Sequence, residues 1–156
     1  AASLLPVSEE FDSQPVRSEP LVALLPPGHA LAAAGRVSLA ALREEPFILF
    51  ERGFALNRII LAECRRLGFE PAVALRSSQI DFIMELAAAG LGVAFLPKLI
   101  SQQRPQAKVA RLLLEQPAID WDMAMIWRRG AYLSHAAKAW LDVAAEETLS
   151  VAAPPG

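Results

Sequence analysis

The chain has little of several things that usually announce a function. It has one cysteine, Cys64, and two histidines, and aromatic residues make up only 7% of it. A single cysteine excludes an internal disulfide and suits a reducing compartment. His29 sits in a Pro-Pro-Gly-His turn and His135 in the first turn of the last helix. Neither has Cys, Asp or Glu at metal-ligand spacing, so no metal is expected. No run approaches the ~20 apolar residues of a membrane helix, and the opening "AASLLPVSEEFD" lacks the basic n-region of a signal peptide. Charge of one sign is also missing, with 15 Lys+Arg against 17 Asp+Glu and a net charge of −2. The densest basic groups are the pairs Arg65-Arg66 and Arg128-Arg129. A protein that holds DNA unaided carries a basic stripe that displaces counterions from phosphates, and this one does not. What the chain has in quantity is apolar side chains, 54% of 156 residues, enough to pack one domain or two small lobes.

Proline and glycine divide the sequence into alternating elements. "PLVALLP" (Pro20–Pro26) and "PFILF" (Pro46–Phe50) read as buried strands, with "SLAALREEP" between them as one or two helical turns capped by Ser38. From Phe54 to Leu67 the period is helical, placing Leu56, Ile60, Cys64 and Leu67 on one face, and Gly68 ends the helix. "PAVALR" (Pro71–Arg76) reads as a further strand. Ser78 and Asp81 have capping-box spacing at the start of a helix that runs to about Ala89, and "VAFL" follows as a strand. "KVARLLL" and "DMAMIW" are strand candidates. "LSHAAKAWLDVAAEE" is an amphipathic helix with Leu133, Ala137, Trp140, Leu141 and Ala144 on its packed side, and "VAAPPG" is a frayed end. The alternation predicts an α/β fold with mostly parallel pairing.

No catalytic constellation emerges. Gly90 and Gly92 in "AAAGLGVAFLP" follow a helix and precede a strand, the reverse of a dinucleotide-binding turn, so they read as a helix C-cap and strand entry. There is no G-x-S-x-G elbow. Cys64 lies on an apolar helix face, as a structural thiol does. Trp121, Trp127 and Trp140 fall in apolar patterns and are expected in the core. The adjacent pairs Glu9-Glu10, Glu44-Glu45 and Glu146-Glu147 point different ways and read as solvated surface. Two polar junctions remain: Glu51-Arg52-Gly53 after "PFILF", and Ser77-Ser78-Gln79 after "PAVALR". In open α/β sheets ligands gather at the carboxyl ends of strands, where helix N-termini present free amides. Two such junctions in one cleft favour a small anion such as a carboxylate.

Taken in order, "PVRSEPLVALLPPGHALA", "VSLAALREEPFILFERG", "GLGVAFLP" and "WRRGAYLSHAAKAWLD" resemble the effector-binding domain of LysR-type transcriptional regulators, from about Leu5 to Glu147. The resemblance implies a type II periplasmic-binding-protein-like fold of two α/β lobes joined by crossovers, the first lobe incomplete here, with the effector held between the lobes. Residues 1–20 would be the remnant of lobe I and a crossover, 21–97 lobe II, 98–147 the return crossover and the rest of lobe I, and 148–156 a disordered tail. The family's second-lobe contacts fall at Arg52, Gly53, Phe54 and Leu56 and at Ser77, Ser78 and Gln79, the same junctions. Phe54, Ala55 and Leu56 stand where effector-contacting members place polar or aromatic groups. The implied function is sensing a small-molecule effector, an anionic one, in a bacterial transcription regulator. The mechanism is conformational, through lobe closure, with no enzyme activity and no cofactor. The implied setting is cytoplasmic, as a homo-oligomer, dimer or tetramer. DNA would be reached only through an N-terminal helix-turn-helix that this sequence does not contain, and no membrane is involved. The rival expectation is a transport-associated solute-binding protein of the same fold.

Overall fold

The computed structural model describes the backbone of residues 2–4 and 9–152 and the side chains of residues 9–146. In chain order the elements are β1 (Ala2–Leu4), β2 (Phe11–Leu25), β3 (Arg36–Val37), β4 (Phe47–Phe50), α1 (Ala55–Arg66), β5 (Val73–Ser77), α2 (Ile80–Ala88), β6 (Ala94–Pro97), α3 (Lys98–Gln102), β7 (Ala110–Leu114), β8 (Asp120–Arg128) and α4 (His135–Ala152). Two compact units emerge, one of residues 1–18 with 121–156 and one of Glu19–Asp120.

The second unit holds the two junctions. All four residues of β4 are buried, which is why "PFILF" shows no alternation: α1 and α2 both pack on this strand. β4 pairs in parallel with β5, Phe50 opposite Ser77. A parallel bridge from Phe47 to Val93 joins β4 to β6, with Ile48 N–H donating to Val93 O and Val93 N–H to Pro46 O, both at 2.8 Å. Leu21–Leu25 of β2 are buried and pair antiparallel with both β6 and β7, and β7 pairs in parallel with β3. The expectation of mostly parallel pairing therefore needs correcting. An apolar run reveals that a strand is buried and carries no mark of its direction. Here β2 enters between two strands that both run opposite to it.

The helices follow the pattern of the sequence closely. Leu56, Ile60 and Cys64 of α1 are buried as the 3.6-residue period requires, and each fully buried apolar side chain contributes about 1.5–3 kcal/mol. Ser38 caps a 3₁₀ turn at Leu39–Leu42, its Oγ accepting from Ala41 N–H at 3.2 Å. At the end of α2, Gly90 takes a φ of +80° while Leu91 N–H donates to Leu86 O, the glycine C-cap expected. Gly92 has a different reason: a Cβ there would lie 2.7 Å from Pro46 O, so only glycine lets the chain pass β4.

The capping box at Ser78 does not form. α2 begins one residue later than that motif requires, with Gln79 at the N-cap position and no side-chain cap, and Ser77 Oγ instead accepts from Gln79 N–H at 3.1 Å. Asp81 turns to Arg104, whose Nε donates to its carboxylate at 2.6 Å. The strongly basic partner outcompetes a neutral amide.

In the first unit β1 pairs antiparallel with β8. The amino-terminal half of β2, which the sequence hides behind Pro15 and Pro20, is half exposed. It is tied to its own unit by Ser18 Oγ donating to Asp122 Oδ1 at 2.6 Å and Arg129 Nε donating to Asp12 Oδ1 at 3.2 Å. On α4, Leu141 and Ala144 are buried and Gln14 Nε2 donates to Leu141 O at 2.8 Å. Trp140 is 68% exposed, so it does not pack the core. It lies about 100° of helical rotation from Leu141, enough to carry an apolar residue off the packed face. The backbone of α4 reaches Ala152, within the span expected as a disordered tail, and residues 153–156 lie outside the described ones.

Candidate functional site

The parallel pairing of β4 with β5 sets the carboxyl ends of the two strands side by side. Phe50 faces Ser77, and Glu51 N–H donates to Ser77 O at 3.2 Å. The junctions 51–54 and 77–79 are therefore neighbours, although 22 or more residues separate them along the chain. β6 runs parallel to β4 from the Phe47–Val93 bridge, so Pro97 and Lys98 emerge at the same end of the sheet.

The first junction is held from below by a residue that sequence reasoning passed over. Asn57, in the first turn of α1, is buried and folds back onto the end of β4. Its Oδ1 accepts from Phe50 N–H at 3.0 Å, and its Nδ2 donates to Phe50 O at 2.7 Å and to Glu51 O at 3.0 Å. Every hydrogen-bonding atom of the amide except one acceptor lone pair is used. Above it the turn closes with Phe54 N–H on Glu51 O at 3.3 Å, and Gly53 takes a φ of +95° within it. Phe54, at the N-cap of α1, stacks on Phe50 with ring centroids 5.1 Å apart and planes 11° apart, and it stays partly exposed. Arg52 and Gly53 are exposed. Leu56 points the other way. It is buried and lines, with Ile48, Phe50, Asn57 and Phe95, a void of about 10 Å³, the room of about one water.

The second junction is more open. Ser77 is half-buried and occupied with Gln79 N–H, while Ser78 and Gln79 are exposed. Neither α1 nor α2 has a side-chain cap at its start. Two sets of unpaired helix amides therefore emerge at one end of the sheet, where an anion is favoured by the amides and by the helix dipoles.

A second residue absent from the sequence reading is Arg76. It lies on β5, and its guanidinium reaches across the strand pair, Nη1 donating to Phe50 O at 3.2 Å. It is half-buried, and among the described residues no carboxylate pairs with it. The only sequence signal was a cation ending an apolar strand beside the polar junction.

Elsewhere, Cys64 is fully buried, and burial first, then the neighbouring Glu63 charge, pushes its thiol up to about 11. His29 Nδ1 accepts from Leu31 N–H at 3.1 Å while Nε2 meets Glu45 at 2.7 Å, a structural tie. An open cleft of about 540 Å³ lined by Pro27, Glu85, Ala88, Ala89, Gln106 and Lys108 lies by the carboxyl end of α2, away from both junctions. Among the described residues no three of His, Cys, Asp or Glu gather as a metal site would require, and no helix is long and apolar enough to cross a membrane.

The LysR substrate binding domain family matches residues 2–149. The chain belongs to that family. Its LysR relatives include the uncharacterized HTH-type transcriptional regulator YwbI of Bacillus subtilis (strain 168), 40% identical over 140 residues, which are 89% of this chain and 46% of YwbI. The transcriptional dual regulator GltC of the same organism is 31% identical over 109 residues, 70% of this chain and 36% of GltC. The chain thus spans less than half the length of these regulators. Among solved LysR structures, the C-terminal domain of a probable LysR family regulator from Rhodococcus sp. RHA1 is 26% identical with a TM-score of 0.74, covering 92% of this chain and 73% of that one. The effector-binding domain of QuiR in complex with shikimate has a TM-score of 0.81 at 19% identity, covering 96% of this chain and 71% of that domain, and carries the fold alone. Family membership identifies the chain as a substrate-binding domain, and its solved relatives share the periplasmic-binding-protein-like fold.

Proposed function

We propose that this LysR effector domain senses a small anionic metabolite, and that Arg52, Gly53, Phe54 and the backbone of Leu56 contact it together with Ser77, Ser78 and Gln79. The observation that carries this reading is the Phe50–Ser77 pairing, which brings two uncapped helix starts to one end of one sheet. Residues 21–97 supply this share of the site, as lobe II. Residues 1–20 and the chain beyond Asp120 belong to the crossovers and lobe I, while α3 and β7, expected in the return crossover, fall in the same compact unit as lobe II. The bound forms of QuiR with shikimate and of the BenM effector-binding domain with benzoate, both carboxylate-bearing compounds, support the ligand class.

The domain acts by binding, without chemistry of its own. An effector that prefers one of two conformations shifts the population toward it by no more than its differential affinity. In the complete regulator that shift reaches DNA through a helix-turn-helix outside this chain, in a cytoplasmic homo-oligomer that needs no cofactor. The HTH-type names of the relatives support the DNA partner. The partly exposed apolar residues of β5, Val73 and Leu75, with Phe82 on α2, support assembly.

The test is a thermal-shift screen of this chain against a library of metabolite carboxylates and their neutral amides. Stabilisation by a carboxylate and not by its amide, reduced in Arg52→Ala and Ser78→Ala, is the expected result. A ligand whose stabilisation is the same in both variants overturns the site.

A further inference from the structure

We infer that Arg76 is the charge-reading residue of this site and that it selects a carboxylate. The inference rests on the effector reading above and adds a residue and a ligand geometry to it. A guanidinium carries five N–H donors in a planar fork and stays charged in a protein. Only Nη1 of Arg76 is accounted for, on Phe50 O, an oxygen that Asn57 Nδ2 also holds. Four described arginines spend their charge on a named acid: Arg36 on Glu115, Arg66 on Glu63, Arg104 on Asp81 and Arg129 on Asp12. Arg76 has none, and Glu51, the acid closest to it along the strand pair, forms no ion pair with it.

A half-buried cation without a counter-ion has paid part of its desolvation cost with no compensating charge. At the carboxyl ends of β4 and β5 an incoming anion supplies that charge. Because Nη1 is tethered to a backbone oxygen, the fork is restrained before the ligand arrives. A planar carboxylate then meets two parallel N–H donors, an arrangement a lysine cannot reproduce. Arg52, exposed and without a tether, adds charge and no orientation.

The test is an NMR titration of the arginine Nε–Hε signals of this chain with sodium acetate, against sodium chloride and sodium phosphate at equal ionic strength. The Arg76 signal is assigned by its loss in Arg76→Lys. Acetate is expected to move it along a saturable curve with an apparent affinity at least tenfold above that of chloride, while exposed Arg58 and Arg65 move only with ionic strength. Arg76→Lys, which keeps the charge and loses the fork, should weaken acetate binding read from the Ser77–Gln79 amide shifts by fivefold or more. Equal movement of Arg76 and the exposed arginines overturns the inference. Tighter binding of phosphate than of acetate overturns the carboxylate selection. An acetate response in a chain that no library metabolite stabilises leaves Arg76 as an anion site and defeats the effector reading. A metabolite that stabilises Arg76→Lys as well as the parent chain does the reverse.

Discussion

The two junctions that meet at the ends of β4 and β5 are built differently. The first, Glu51–Phe54, stands on Asn57, whose buried amide makes three hydrogen bonds to Phe50 and Glu51. The second, Ser77–Gln79, has one side-chain hydrogen bond among the described residues, at the surface, Ser77 Oγ accepting from Gln79 N–H. Each bond net of water is worth about 1 kcal/mol, but a buried polar group left without its partner costs about 1–3 kcal/mol. The first junction is thus a fixed platform and the second an adaptable rim. A sensor domain needs both: a preorganised surface limits the ordering cost of binding, and a compliant one lets the ligand favour one conformation over another.

Asn57→Ala strikes the platform and has the largest expected effect. It leaves Phe50 N–H unpaired in a buried setting and should lower stability by about 2–4 kcal/mol in urea unfolding. A loss below about 1 kcal/mol would mean that water replaces the amide and that the platform is no stiffer than the rim. Gly92→Ala acts at the opposite end of β4, where its Cβ would meet Pro46 O at 2.7 Å. It should cost about 1–3 kcal/mol while leaving the shifts of Ser77–Gln79 in place, which separates fold damage from site damage. Ser77→Ala removes one surface bond and should cost no more than about 1 kcal/mol. Its effect should appear in the hydrogen-exchange rate of the Gln79 amide, which becomes faster.

The smallest effect is silent at neutral pH. Cys64 on α1 is buried with its thiol raised from 9.0 to about 11. The folded state therefore holds this proton more tightly than the unfolded chain. Its contribution to stability is intact below pH 9 and is lost as pH rises toward 11. Cys64→Ala should flatten the stability curve in that window, and the parent thiol should resist alkylation at pH 7.5 until the chain unfolds. Fast alkylation of the native protein would contradict the burial of the α1 face. This thiol, neutral and enclosed, is not placed to react as a redox sensor.

Much of this architecture was legible in the sequence because burial writes itself as pattern. "PFILF", "VAFL" and the α1 face declare themselves by apolar spacing, and Gly90 and Gly92 by their place between a helix and a strand. The junctions were legible because strand ends in an α/β sheet are where polar turns fall. The residues that shape them were not. Asn57 reads as a polar interruption in an apolar helix until the turn before it folds back within its reach. Arg76 gains meaning only once β5 lies beside β4, so that its side chain crosses to Phe50 O. Ser78 fits the capping box in spacing, yet Asp81 is drawn to Arg104, 23 residues away, a partner no local motif contains. Trp140 shows the limit of periodicity: one position beyond the packed face, an apolar residue still reads as core.

On this reading the two junctions form one anion-contacting surface. A crystal structure of this chain with the first carboxylate that stabilises it decides whether they do. The carboxylate is expected within hydrogen-bond distance of backbone N–H groups at the start of α1 or of Ser77–Gln79, with the Arg76 fork on its two oxygens. A ligand seated instead in the cleft of Pro27, Glu85 and Lys108, with both junctions untouched, would contradict it.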